Sequence, residues 1–257
     1  MKVLVSMSRK VVFYILLFIG TSVYSQFVNP ESVRSRKDTV GFAGTIGLDI
    51  GYTKNTSSIF ALGNSIYIQY IHKKHLIFFI NNINIKKVNS ESIINRGTQH
   101  LRYNYKFNNR ITGEAFIQSH YNKISKIDKR QLIGAGPRFT LFKENKFELY
   151  LGTLVMYEYE KIKEDQFIYN RDFRFSGYAS VRWFPAKNTT ITSTTFYQPK
   201  LSQWSDYRIF SHNSVMFKVI KGLSIGITYI ATYDTHPANE IPKYQFKLLN
   251  GLIYTFD

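Results

Sequence analysis

Residues 39–52 read TVGFAGTIGLDIGY. Val40, Phe42, Gly44, Ile46, Leu48, Ile50 and Tyr52 fall on one face of an extended chain, and Gly41, Ala43, Thr45, Gly47 and Asp49 on the other. A strand of a soluble sandwich carries the same alternation. The reading therefore turns on whether the pattern recurs and on what lies between the repeats.

It recurs along the whole chain. Strands are predicted at 39–52, 58–71, 75–86, 97–107, 111–122, 130–142, 147–160, 171–184, 188–198, 207–219, 222–234 and 244–256. In LRYNYKF, Leu101, Tyr103, Tyr105 and Phe107 oppose Arg102, Asn104 and Lys106. In LSIGITYIATY, Leu223, Ile225, Ile227, Tyr229, Ala231 and Tyr233 oppose Ser224, Gly226, Thr228 and Thr232. Only HLIFFINNINI, in the third strand, alternates poorly. No segment has the length and period of an amphipathic helix, and an aromatic content of 16% favours strand.

The links carry more information than the strands. HKK, NNR, KENK, PAK and Lys221-Gly222 follow the even-numbered strands, whereas KVNSESIINR, NKISKIDK, EKIKEDQFIYNR, PKLSQWSDY and TYDTHPANEIPK follow odd-numbered ones; KNTSS, after the first strand, is the short exception. Short turns at one end and long loops at the other are the signature of an outer-membrane barrel with its short turns in the periplasm. The expected fold is all-β: a single antiparallel transmembrane β-barrel of about 12 strands, with both termini periplasmic. Pro137, inside the sixth strand, implies a bulge, and Asn213 and Asn250 fall by parity on the lipid face.

The N-terminus agrees with export. Lys2, Arg9 and Lys10 precede the apolar run VVFYILLFIG, and Val23 and Ser25 stand where a signal peptidase reads small residues. The apolar run is too short to cross a bilayer as a helix. The expected organisation is a signal peptide at 1–25, a periplasmic segment at 26–38 and an outer-membrane barrel at 39–257, located in the bacterial outer membrane. Nucleic acid is then excluded as a partner despite the formal charge of +17. The expected partners are outer-membrane lipid and the barrel-insertion machinery, which the closing GLIYTF would engage with Leu252, Tyr254 and Phe256 on one face.

Parity places Arg102, Lys106, Glu114, Arg130, Arg138, Glu158, Arg174, Arg182, Lys218 and Lys247 in the lumen, with His100, Gln118 and His120. Two readings stay open. One is a lumen that passes small anions; the other is a plug in which Glu114 and Glu158 pair with neighbouring arginines. Seven of these cations against two acids call for water or an anion inside, because an unpaired buried guanidinium costs several kcal/mol.

Chemistry of other kinds is thinly represented. His212 and Ser214 have the His-x-Ser spacing of lipid-modifying outer-membrane hydrolases, but the next strand offers Gly226 and Thr228 where an orienting acid or amide should stand. No catalytic residue is assigned. His72-Lys73-Lys74-His75 has metal-like spacing without a carboxylate and reads as a basic turn. There is no cysteine and no nucleotide-binding glycine loop, so neither metal nor cofactor is expected.

Several stretches, QHLRYNYKFNN, TGEAFIQ, QLIGAGPRFTLF, VMYEYE, TTFYQP and KLLNGLIYTF, together resemble the salt-induced outer-membrane proteins, domain of unknown function 481, roughly from residue 60 to the end. The resemblance implies a barrel in the outer membrane with an envelope or stress-related role. It brings no ligand, reaction or catalytic residue with it.

Overall fold

The computed structural model describes residues 40–220 and 223–254. The signal peptide, the 26–38 segment, the Lys221-Gly222 turn and Phe256 lie outside the described residues. Twelve strands follow in chain order: β1 (Gly41–Lys54), β2 (Ser58–His72), β3 (His75–Val88), β4 (Glu91–Lys106), β5 (Ile111–Asn122), β6 (Ile127–Glu144), β7 (Phe147–Lys163), β8 (Phe167–Ala186), β9 (Thr189–Pro199), β10 (Tyr207–Ile220), β11 (Leu223–Asp234) and β12 (Tyr244–Tyr254). They form one sheet in which every strand pairs antiparallel with its chain neighbour.

The registers set two faces. Arg102 is 3% exposed while its neighbour Tyr103 is 39% exposed, and the same parity buries Glu114, Arg130, Glu158 and Arg174 and exposes Ile117, Ile133, Val155 and Phe173. The face with the charges is the concave one. Across it, Tyr178 Oη of β8 donates to Glu114 Oε2 of β5 at 2.7 Å, and Arg208 of β10 reaches Glu158 and Glu160 of β7. The convex face is largely apolar, with aromatic groups near both ends. Tyr197, Tyr207 and Tyr233 pack in succession with tilted rings at one end, and His75, Tyr105 and Phe107 meet edge to face at the other. A sheet curled around charges, with an apolar exterior between aromatic bands, has the inside-out distribution of an outer-membrane-type β-barrel. Among the described residues no ladder joins β1 to β12, so these two strands border a seam.

Three local readings are corrected. KVNSESIINR is no loop: β3 and β4 run on to a turn at Asn89 (φ 48°) and Ser90 (φ 68°), and two left-handed central residues match the twist of the flanking strands. EKIKEDQFIYNR likewise is mostly strand, with β7 ending at Lys163 and β8 starting at Phe167, because its alternation continues past the band facing lipid. Loop length is therefore concentrated in residues 200–206 and 235–243. Pro137 causes no register shift. The β6–β7 ladder skips Gly136 and Pro137 and resumes in the same register at Arg138, while its register shifts fall between Ile127 and Lys129 and between Thr140 and Phe142. The poor alternation of β3 also has a cause: Phe78 and Ile80 pack inward with Tyr67, while Ile77 and Phe79 face outward.

One glycine holds the interior together by its smallness. A Cβ on Gly152 would lie 2.0 Å from the nearest carbon of the Tyr178 ring, whose hydroxyl is engaged with Glu114. Gly152→Ala is expected to cost about 1–3 kcal/mol, the usual penalty of overpacking, read as a lower unfolding midpoint in detergent. Gly226→Ala serves as the control, since the nearest atom to its added Cβ lies at 4.0 Å, and the midpoint should not move.

Candidate functional site

The lumen is built in layers. Toward the short-turn end, Glu114 accepts from Arg102 Nη1 at 3.2 Å and from the Tyr178 hydroxyl, and forms an ion pair with Arg138 Nε at 3.4 Å. The Arg102 guanidinium also lies over the rings of Phe78 and Phe116, at 5.8 and 5.5 Å from their centroids. His100 accepts from Arg102 Nε at 3.2 Å and pairs with Gln118 at 2.9 Å. Closer to the turns, Arg182 meets Glu148 at 3.1 Å.

An apolar layer follows, in which Phe116, Leu132, Leu154, Met156, Tyr178, Phe196, Phe210 and Ile230 form one buried cluster. A cavity of about 30 Å³, lined from β4 round to β9, lies beside it and is large enough for one water.

Beyond this layer is the densest charge network. Glu158 receives Arg174 Nε at 3.1 Å and Arg208 Nη1 at 2.7 Å, with Arg130 Nε at 3.9 Å. Glu160 accepts from Arg130 Nε at 2.8 Å and Arg208 Nη2 at 2.9 Å. Arg208 Nε closes on Asp234 at 2.8 Å, and Arg174 Nη2 on Asp206 at 3.1 Å. Lys200 bridges Asp206 and Asp172, at 2.9 and 3.2 Å. Burial alone would push the Asp206 carboxyl up, but the Lys200 hydrogen bond and the charges of Arg174 and Lys200 outweigh it and hold it below its ordinary value.

The 235–243 loop lies over this network. Lys126 donates to Glu240 at 2.6 Å, and Glu164 accepts from the backbone and side-chain nitrogens of Asn239 at 2.8 and 2.6 Å. The β11–β12 loop thus reaches across to the β5–β6 and β7–β8 turns. A cavity of about 50 Å³ remains beneath it, bordered by His120, Arg130 and Glu160 below and Pro237 and Ile241 above.

Of the residues singled out from sequence, Arg102, Glu114, Arg130, Arg138, Glu158 and Arg174 are buried within these layers. Arg182 and Lys247 are half-buried, and Lys106 and Lys218 are exposed toward the short-turn end. The surplus of seven cations over two acids does not survive. Glu148, Glu160, Asp206 and Asp234 supply carboxylates that the strand count placed in loops or at strand ends, or that parity alone did not single out. Arg208 was missed for the same reason, standing one residue inside β10. Arg96 was missed because its segment was read as loop. It is 5% exposed, its Nη2 has no hydrogen-bond partner, and no carboxylate reaches it among the described residues.

The wall bordering the seam differs from the filled side. Its inward positions are mostly small: Gly47 and Gly51 on β1, Gly63 and Ser65 on β2, Ser224, Gly226 and Thr228 on β11, and Gly251 on β12. An added Cβ at Gly47, Gly51, Gly226 or Gly251 would come no closer than 3.7 Å to any other atom. The same wall carries Lys86, Arg96, Lys218 and Lys247 against Asp49. His212 and Ser214 also face inward. His212 Nδ1 has no partner, and Ser214 Oγ accepts from Thr228 at 3.4 Å. No group of three or more His, Asp or Glu with metal-binding geometry occurs among the described residues, the His72–His75 turn included.

Residues 46–256 match the model of the family described as protein of unknown function, DUF481. The chain belongs to that family. Among solved structures, a NanC porin in a rhombohedral crystal form is similar to this DUF481 chain at a TM-score of 0.48 and 11% identity, covering 82% of this chain and 100% of that one. A KdgM porin is similar at 0.41 and 11%, over 83% and 100%. A bacterial polysaccharide outer-membrane secretin is similar at 0.43 and 9%, over 82% and 84%. No curated protein matches the chain.

Two expectations follow. Glu158→Gln leaves buried guanidinium groups without their carboxylate and should cost about 3–5 kcal/mol of stability, measured by urea unfolding in detergent. The loop over the network should be sensitive to both pH extremes. Its hydrogen bond to Lys126 holds the Glu240 carboxyl below its ordinary value, and the same bond holds Lys126 above its own. The contact is therefore complete at neutral pH, is lost as pH falls through the lowered Glu240 value, and is lost again as pH rises through the raised Lys126 value. Glu240→Gln at neutral pH should speed trypsin cleavage at Lys243, and unchanged cleavage would show that the loop is held by other contacts.

Proposed function

We propose that the protein is an outer-membrane β-barrel that passes small anions through a narrow passage on one side of its lumen, the other side being closed by the layered ion network. The outer-membrane location is supported by the apolar convex face, the charged concave face and the aromatic bands. The passage is supported above all by where the unmatched charge lies. Carboxylates and guanidinium groups are paired off within the filled side, while Arg96, buried with no carboxylate partner among the described residues, lies in the cross-strand row of Asn84, Gly63 and Asp49 beside a wall of glycine, serine and threonine. A buried guanidinium with no carboxylate demands water or an anion, and a cationic wall of low dielectric focuses field lines that favour anions.

An envelope role fits this reading: a constricted, anion-preferring path admits small solutes while the plug excludes larger ones. Purified protein in a planar bilayer under a salt gradient tests it. A small conductance with a reversal potential on the anion side is expected, and Arg96→Gln combined with Lys247→Gln should move that potential toward zero. Cation preference, or no conductance at all, would contradict the passage.

A further inference from the structure

The convex face of β3–β8 carries a row of polar side chains where lipid contact would favour apolar ones. The registers align Asn81, Gln99, Ser119, Gln131, Tyr159 and Arg171 as successive cross-strand neighbours. One step toward the short turns the row is Phe79, Leu101, Ile117 and Ile133, ending in Tyr157 and Phe173. One step toward the loops, Lys129 stands opposite Lys161. The surface therefore grades from apolar through amide and hydroxyl to cationic along the barrel axis.

The middle of this surface is hollow. A groove of about 540 Å³ is lined by Leu101, Ile117 and Ile133 on its apolar side and by Gln99, Ser119 and Gln131 on its polar side, with Tyr159 at its margin. At the β2–β4 end the amides satisfy one another, Asn81 donating to Asn64 at 2.9 Å and Gln99 to Asn81 at 3.0 Å. No hydrogen bond from the described residues reaches the side chains of Ser119 or Gln131. Lys161 is matched by Asp128 at 2.8 Å. Lys129 has no carboxylate partner among the described residues, and Arg171 only lies over the Tyr159 ring, 5.9 Å from its centroid.

We propose that this groove binds a phosphorylated, acylated sugar lipid of the leaflet on the loop side. Lys129 and Arg171 take the phosphate, Ser119 and Gln131 take sugar hydroxyls and acyl amides, and the acyl chains lie along Leu101, Ile117 and Ile133. The charge gradient selects a phosphate-bearing lipid. The neutral row between cations and apolar floor selects a glycolipid over a glycerophospholipid, which has only ester carbonyls to offer at that depth. The site depends on the orientation of the barrel and not on whether the lumen conducts.

Native mass spectrometry of the mature protein, exchanged in detergent against equal bis-phosphorylated lipid A and phosphatidylglycerol, tests the assignment. Lipid A should be retained in preference. Lys129→Glu with Arg171→Glu should lower its retention by about tenfold or more, two cations at a membrane surface being removed. Gln131→Leu should reduce the preference over phosphatidylglycerol while leaving the fold intact, as judged by the heat-dependent gel shift. Lys73→Glu with Lys74→Glu, at the opposite end, should change nothing. Equal retention of both lipids, retention unaffected by the double substitution, or a dimer mass in place of a lipid adduct would each overturn the proposal.

Discussion

Glu158 sits 1% exposed between the guanidinium groups of Arg174 and Arg208, and much of the barrel interior is arranged around that one carboxylate. Two arginines from strands on the same side of the lumen cannot be brought together in low dielectric unless an acid stands between them. Each arginine then uses its remaining nitrogens to fix something further away. Arg174 holds the Gln198 carbonyl and Asp206, and so fixes the loop that leads into β10, while Arg208 holds Glu160 and Asp234 and so fixes the start of the loop over the lumen. Such a network is no large source of net stability. It commits the strands to one curvature, because removing any member leaves a charge that the interior cannot solvate.

The filled side and the seam side follow from where that commitment ends. Beneath the network, aromatic rings occupy the space left by glycines, as Tyr178 does over Gly152. Toward the seam, glycines face open space, and the charges there are left in excess of one sign. A barrel of this strand number lies between those filled by side chains and those left open. On the proposed reading, this one divides the two conditions between its halves.

Much of the fold was legible because the side-chain period of a strand leaves little freedom: Arg102 beside Tyr103, or Ser224 beside Ile225, can be satisfied in only one orientation once one face meets lipid. Family membership was legible from stretches such as GAGPR for a related reason, since a Cβ on Gly136 would strike the backbone of Thr153. The pairing of charges was not legible. Parity says that Glu160 and Arg208 point inward but not that strands β7 and β10 meet across the lumen, and nothing local to Asp206 or Asp234 announces a buried arginine. Asn89-Ser90 was missed as a turn because the usual glycine is absent from it. The polar row on the convex face was invisible for another reason. Gln99, Ser119 and Gln131 are each unremarkable, and only the register makes them neighbours.

The central claim is that one half of the lumen is filled and the other is not. The absence of cysteine permits a direct measurement, since single cysteines can be placed on a clean background and their modification by a small, charged, membrane-impermeant thiol reagent timed. Cysteine at Ser176 or Thr194, inside the filled half, should react far more slowly than cysteine at Ser65 or Thr228 on the seam side. Comparable rates at all four positions would contradict the account.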